Sequence, residues 1–264
     1  MKVAVLITGQ LRDYKINYVN HLKHLIEPNN ADVFVYACSK NTIHTTGPNI
    51  TQNYKVTTTH TKEQIEQEVR ETYGDCLKGV VVDEDETLNE NNFGTLGYFK
   101  ARMNNQMGNI RNGFLMAQEY AKHNSFEYDI IIRCRPDNSM FLRFIDLSTV
   151  NLILTEKQIY TTIYPSGHKD PWFFSFSRPA TFDKYCSFIY QEECDESRTD
   201  NNFECPEMAL ERHLNSIGMK LIFVPSICLP FYSYDKAVPV TDFPHRQKHE
   251  KLIDSDGNLV EQVG

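Results

Sequence analysis

Short unbroken apolar runs alternate with amphipathic stretches through the first half of the chain. Residues 3–8, 32–38, 79–83 and 129–134 carry apolar side chains at successive positions, the pattern of strands buried on both faces. Between them the apolar period lengthens to three and four. Residues 14–27 place Val19, Leu22 and Ile26 on one stripe, with Pro28 as a stop. Thr61-Lys-Glu-Gln64 matches a capping box and predicts a helix start there, with Ile65 and Val69 facing inward and Gly74 as its C-terminal cap. Residues 98–123 carry the strongest helical pattern, with Phe99, Met103, Met107, Ile110, Phe114, Ala117 and Ala121 on one face. The Asn- and Thr-rich residues 40–60 and the acidic residues 84–97 read as loops.

The resulting order, β-α-β-α-β-α-β, predicts an α/β fold with a mostly parallel central sheet flanked by helices. The second half differs. It predicts short strands at 158–163, 172–176 and 220–224, and helices near 179–192 and 206–217, the latter opened by Pro206. No internal repeat is visible. After Tyr232 the chain reads as a short C-terminal arm.

Composition narrows the function classes. At 264 residues, with 41% apolar and 23% charged residues, the chain has the make-up of a soluble α/β protein with a real core. A net charge of −8 argues against general binding to nucleic acid or anionic lipid, so a phosphate-bearing ligand needs a local cluster of Arg, Lys or metal. The high aromatic content, 14 Tyr and 16 Phe, suits stacking against sugars or bases. Seven cysteines without a Cys-x-x-Cys pair point to a reducing compartment, with Cys38 and Cys134 as core thiols. The N-terminal apolar run is too short for a signal peptide, and no stretch reaches the roughly 18 apolar residues of a membrane span. A cytoplasmic protein without an integral membrane segment is expected, and the Asn49-Ile-Thr51 sequon is then incidental.

Ligands of open α/β sheets bind beyond the carboxyl ends of the strands. The first strand delivers Thr8, Gly9, Gln10 and Arg12 there, and the fourth delivers Arg133, Arg135 and Asp137. Guanidinium groups can grip a diphosphate through forked hydrogen bonds, and the carboxylate can hold a divalent metal. Each residue also has a plainer reading: ion pairs for Arg133 and Arg135, and a Pro-Asp-Asn turn for Asp137. Arg102, Gln106, Asn109 and Gly113 make a second, polar stripe on the long helix, suited either to a solvated face or to ribose and base. Asp170 and Trp172, the only tryptophan, combine a carboxylate with an aromatic face for a sugar, or Trp172 is simply core. Glu207 fits the first turn of its helix for dipole reasons and equally fits a general base. His245 and His249, four apart in the tail, are a possible metal pair or surface histidines.

Taken in order, these segments resemble the GT-A, nucleotide-diphospho-sugar transferase family. The resemblance runs over about residues 3–225. It rests on Thr8-Gly-Gln-Leu-Arg12, the helix with Asn105-Gln106, Tyr128-Asp-Ile-Ile-Ile-Arg-Cys-Arg-Pro-Asp137, Asp170-Pro-Trp-Phe-Phe-Ser-Phe-Ser-Arg178 and Pro206-Glu-Met-Ala-Leu-Glu-Arg-His-Leu214. It implies a single GT-A-like (Rossmann-like) domain over 1–231, with a nucleotide-binding half at 1–137 and an acceptor half at 138–231, followed by an extension at 232–264. It also implies that the first strand and the polar helix cradle the nucleotide. Asp137 would stand at the last Asp of the family's Asp-x-Asp metal motif, whose first Asp is here Arg135. A Mn²⁺ or Mg²⁺ ion would then need the diphosphate, water or His245 to complete its shell. Otherwise Arg135 itself neutralises the leaving phosphate and no metal is needed.

The expected reaction is transfer of a sugar from a nucleotide-diphosphate donor to the hydroxyl of a glycan or other acceptor. Asp170 or Glu207 would act as base if the anomeric centre inverts. Two alternatives stay open: a nucleotidyltransferase, for which the first loop lacks Lys, and a non-catalytic nucleotide- or sugar-binding module.

Overall fold

In the computed structural model, the four apolar runs of the first half do lie side by side as strands. The structure describes the backbone of residues 1–11, 14–39, 41–44, 54–57, 60–83, 96–136, 147, 154–163, 169–189, 206–223, 252–253 and 259–260. Strands β1 (Val3–Gln10), β2 (Asp32–Cys38) and β5 (Leu77–Asp83) run parallel, with β5 outside β2. Strand β6 (Ile130–Cys134) pairs parallel with the other side of β1. Strands β7 (Gln158–Ile163), β8 (Lys169–Ser177) and β9 (Lys220–Phe223) extend the sheet from β6. The seven strands follow the order β5-β2-β1-β6-β8-β7-β9, and β8 alone runs antiparallel to its neighbours.

Helices cover both faces. Helix α1 (Tyr14–His21), continued by a π-helical turn Leu22–Ile26 and a last turn Glu27–Asn29, packs with α2 (Lys62–Tyr73) over one face. Their core includes Val5, Ile7, Val33, Val35, Ile65, Val69, Ile132 and Cys134. Helices α3 (Leu96–His123), α4 (Pro179–Cys186) and α5 (Pro206–Ser216) supply side chains to the other core, against Leu6, Phe34 and Ile131. Alternate residues of one strand feed the two cores, which is why the strands read as unbroken apolar runs.

Local signals explain several boundaries. Thr61 accepts from the Gln64 amide at 3.3 Å, and the Thr61 amide donates to Gln64 Oε1 at 2.9 Å, so the capping box forms as expected. Gly74, with φ of 54°, caps α2 and passes into a 3-10 turn, Gly74–Cys76. Within the long helix, Met107, Ile110, Phe114, Ala117 and Ala121 are buried and Met103 partly so. The side chain of Phe99 lies outside the described residues. Cys38 and Cys134 are buried free thiols.

Three expectations need correction. Pro28 does not stop the first helix: helical backbone runs to Asn29, and Asn30, left-handed at φ 45°, caps it. Pro28 is the second residue of the last turn, Glu27–Asn29, and proline is tolerated in a first helical turn, where its missing N–H is not needed. Of the expected stripe, Ile26 is buried and Leu22 packs against the core, but Val19 is 41% exposed, and the inward face of α1 presents Tyr14, Asn17, Asn20 and His21. Within residues 40–60, β3 (Asn41–His44) and β4 (Tyr54–Thr57) pair antiparallel, since Thr42, Ile43, Val56 and Thr57 favour extended backbone. In the tail, β10 (Leu252–Ile253) and β11 (Leu259–Val260) form a two-stranded ladder. Among the described residues no helix is long and apolar enough to cross a membrane.

Candidate functional site at the strand switch point

The chain steps outward from β1 to β2 and β5, then returns through α3 to β6 on the opposite side of β1. The strand order therefore reverses between β1 and β6. At such a reversal the connections leave in opposite directions and open a crevice at the carboxyl ends. The residues flanking it are Thr8, Gly9 and Gln10 from β1, and Arg133, Cys134, Arg135 and Pro136 from β6. Of the expected phosphate-binding residues, Thr8, Gly9, Gln10, Arg133 and Arg135 belong to these two strand ends.

The two strand ends are not symmetrical. The ladder between β1 and β2 continues to Gln10↔Cys38, whereas the ladder between β1 and β6 stops at Ile7↔Cys134. Arg133 bridges the difference. Its Nε donates to Thr8 Oγ1 at 3.2 Å and its Nη2 donates to the Thr8 carbonyl at 3.4 Å. Arg133 is 0% exposed, the largest fully buried side chain described. Thr8 is buried too, and Gly9 follows with φ of 121°, a conformation that L side chains rarely adopt. A Cβ at Gly9 would stand 3.9 Å from the Pro136 ring, so both sides of the crevice approach closely here. Gln10 and Arg135 are half-buried at the rim.

On the α3 face, the second helical stripe is not simply solvated. Gly113 is buried: a Cβ there would lie 3.0 Å from Thr8 Cγ2. Asn109 and Gln106 are half-buried one and two turns toward the helix start. Tyr36, at the end of β2, donates to Asp83 Oδ2 at 3.1 Å and also bonds Asn112. Burial, and then the Asp83 carboxylate, push the Tyr36 hydroxyl pKa up, against the opposing pull of Asn112. Tyr36, Asp83 and Asn112 were not singled out by sequence. Tyr36 sits inside an apolar run, two residues before the end of β2, and Asp83 closes β5; the available signal is a polar group near the carboxyl end of each strand.

On the other face, Cys134 Sγ lies 3.5 Å from His21 Nε2. Beyond β6, the antiparallel course of β8 brings its first residues to the same rim. Cys134 pairs with Phe174, so the backbone of Asp170 and Trp172 lies beyond the end of β6, on the side of Arg135. Glu207 occupies the second position of α5, which the turn at Gly218 reverses into β9. The side chains of Arg102, Asp170, Trp172 and Glu207 lie outside the described residues, as do Arg12, Asp137, His245 and His249 altogether.

The described rim offers hydroxyl, amide and guanidinium groups beside the single Asp83 carboxylate, and among the described residues no three His, Cys, Asp or Glu side chains come together to hold a metal. These donors suit an anion rather than a cation.

No protein-family model matches the chain, and no curated protein does. Among solved structures it is similar to the glycosyltransferase GlyE of Streptococcus pneumoniae TIGR4. The apo form aligns at 10% identity and a TM-score of 0.40 over 83% of this chain and 44% of that one. A second GlyE structure aligns at 11% identity and 0.39, over 84% of this chain and 46% of that one. The chain thus spans less than half the length of these two structures.

Proposed function

We propose that this chain is a GT-A-like glycosyltransferase that moves a sugar from a nucleotide-diphosphate donor to a hydroxyl acceptor, with the diphosphate lodged in the crevice between β1 and β6. The observation that supports this reading is the close approach of Gly9 to Pro136 at the switch point, beside the buried Arg133–Thr8 pair. A glycosyl donor leaves as a nucleoside diphosphate, so charge grows on its β-phosphate as the glycosidic bond breaks. Backbone N–H groups around Gly9 and the guanidinium groups of Arg135 and Arg12 are the donors we assign to that charge.

The remaining roles are proposed from the sequence. Gln106 and Asn109, with Arg102, would meet the nucleoside from α3. Trp172 would pack against the acceptor sugar. Asp170 or Glu207 would take the acceptor proton in an inverting reaction. Asp137 is the assigned carboxylate for a Mn²⁺ or Mg²⁺ ion, with His245 as an additional ligand.

Titration with UDP, GDP and their sugars, with and without Mn²⁺, tests the reading. Binding together with release of free nucleoside diphosphate is expected, and Asp137→Ala should abolish that release while leaving the fold intact. Unchanged release in Asp137→Ala would remove Asp137 from the site. Tight binding with no release under any condition would make the chain a binding module instead.

A further inference from the structure

Beyond Ile7 the end of β1 keeps its ladder with β2 as far as Gln10, while its ladder with β6 stops at Cys134. Here that end includes Gly9, whose φ of 121° departs from extended strand geometry. Two side-chain contacts act where the ladder stops. Arg133 reaches Thr8 twice, at the hydroxyl and the carbonyl. Gly113 of α3 lets the Thr8 methyl pack against the helix, where a Cβ would stand only 3.0 Å away.

We propose that Arg133 is a positioning residue rather than a ligand contact: just past the last β1–β6 pair it holds Thr8, and so sets the backbone of Gly9 and Gln10 that faces the crevice. The inference rests on the glycosyltransferase reading only for what that backbone meets, namely a diphosphate. The geometry favours this role over direct contact. Its Nε and Nη2 both bond Thr8, and the residue is fully buried. An arginine suits the task because its planar fork can reach a hydroxyl and a carbonyl of one residue together, while a lysine offers a single point donor.

Amide hydrogen exchange of the full chain, without ligand, reads the lock directly. Arg133→Lys and Thr8→Val should each speed exchange at the Gly9 and Gln10 amides, while Thr8→Ser, which keeps the acceptor, should remain near wild type. Losing a hydrogen bond from a charged donor corresponds to roughly a 10- to 100-fold change. UDP and GDP titrations read its purpose: Kd for whichever diphosphate the wild type binds should rise by about tenfold in both variants. The double variant should be no worse than the poorer single, because the two residues act as one unit. Thr8→Val keeps the test decisive if Arg133→Lys fails to fold. Unchanged exchange in folded variants overturns the proposal, and so do additive losses of diphosphate binding, which would mean that Arg133 contacts the ligand independently. Faster exchange with unchanged diphosphate affinity overturns the role in binding. Faster exchange in a protein whose wild type binds neither UDP nor GDP leaves the lock standing and removes the glycosyltransferase reading instead.

Discussion

Gly113 of α3 lies against Thr8 of β1 so closely that a Cβ on the glycine would meet Thr8 Cγ2 at 3.0 Å, with Tyr36 Cβ at 3.7 Å and Leu6 Cβ at 4.0 Å behind it. Thr8 cannot readily give way, because its hydroxyl is held by Arg133. Two effects therefore compete in Gly113→Ala. Alanine improves helix propensity by about 1 kcal/mol, while overpacking a fixed contact costs about 1–3 kcal/mol. A net loss of stability is expected, seen as a Tm lowered by a few degrees, on the order of 2–4 °C per kcal/mol for a chain this long. A raised Tm would show that α3 can lift off the sheet without penalty.

Asp83 sits at the rim with its carboxylate beside the Tyr36 hydroxyl. A carboxylate repels phosphate but accepts readily from hydroxyl and N–H groups. Under the proposed function, Asp83→Ala should weaken binding of a nucleoside diphosphate more than binding of inorganic pyrophosphate, by about tenfold against little change. Calorimetric titration with both ligands checks this. Equal losses would take Asp83 out of nucleoside recognition.

Alkaline stability is expected to depend on Tyr14. Burial, and then the nearby Glu68 carboxylate, push its hydroxyl up from the ordinary 10 to about 12. The folded state thus holds this proton more tightly than the unfolded chain does. The associated stabilisation is complete below pH 10 and is lost as pH climbs from 10 through about 12. Buried Tyr73 and Tyr128 are shifted in the same direction. Thermal melts between about pH 8 and 11.5 should show stability falling above about pH 10, and Tyr14→Phe should make that fall shallower. An identical slope in the variant would contradict the assignment.

Trp172 provides a separate check on the acceptor side. The register of β8 sets its backbone at the rim next to β6, and the proposed role is to pack against the acceptor ring. Trp172→Ala should raise the acceptor KM by roughly tenfold or more, in keeping with the loss of an aromatic–sugar contact of about 1–2 kcal/mol, and leave the donor Kd nearly unchanged. Steady-state kinetics with acceptor varied, together with donor titration, separate the two.

What the chain order alone determined was local. The apolar runs marked strands because residues fed into two cores leave no polar positions. Thr61 and Gln64 marked a helix start because both cap partners lie within one turn. The stripe from Met107 to Ala121 marked the buried face of α3. The rim candidates Thr8, Gly9, Arg133 and Arg135 also followed, once strands and helices were seen to alternate. Tertiary structure decided the rest. The polar inward face of α1, with Asn17, Asn20 and His21 buried and Val19 outside, depends on what the helix meets across the sheet. The antiparallel course of β8 depends on pairing with β6, which no local period encodes. The burial of Arg133 is the clearest case. Its spacing on β6 fits a ligand-facing arginine as well as a buried one. Arg133 lies within the ladder, opposite Leu6, and only the packed structure shows its fork ending on Thr8. Such long-range pairings are set by the whole sheet, and no window of neighbouring residues contains them.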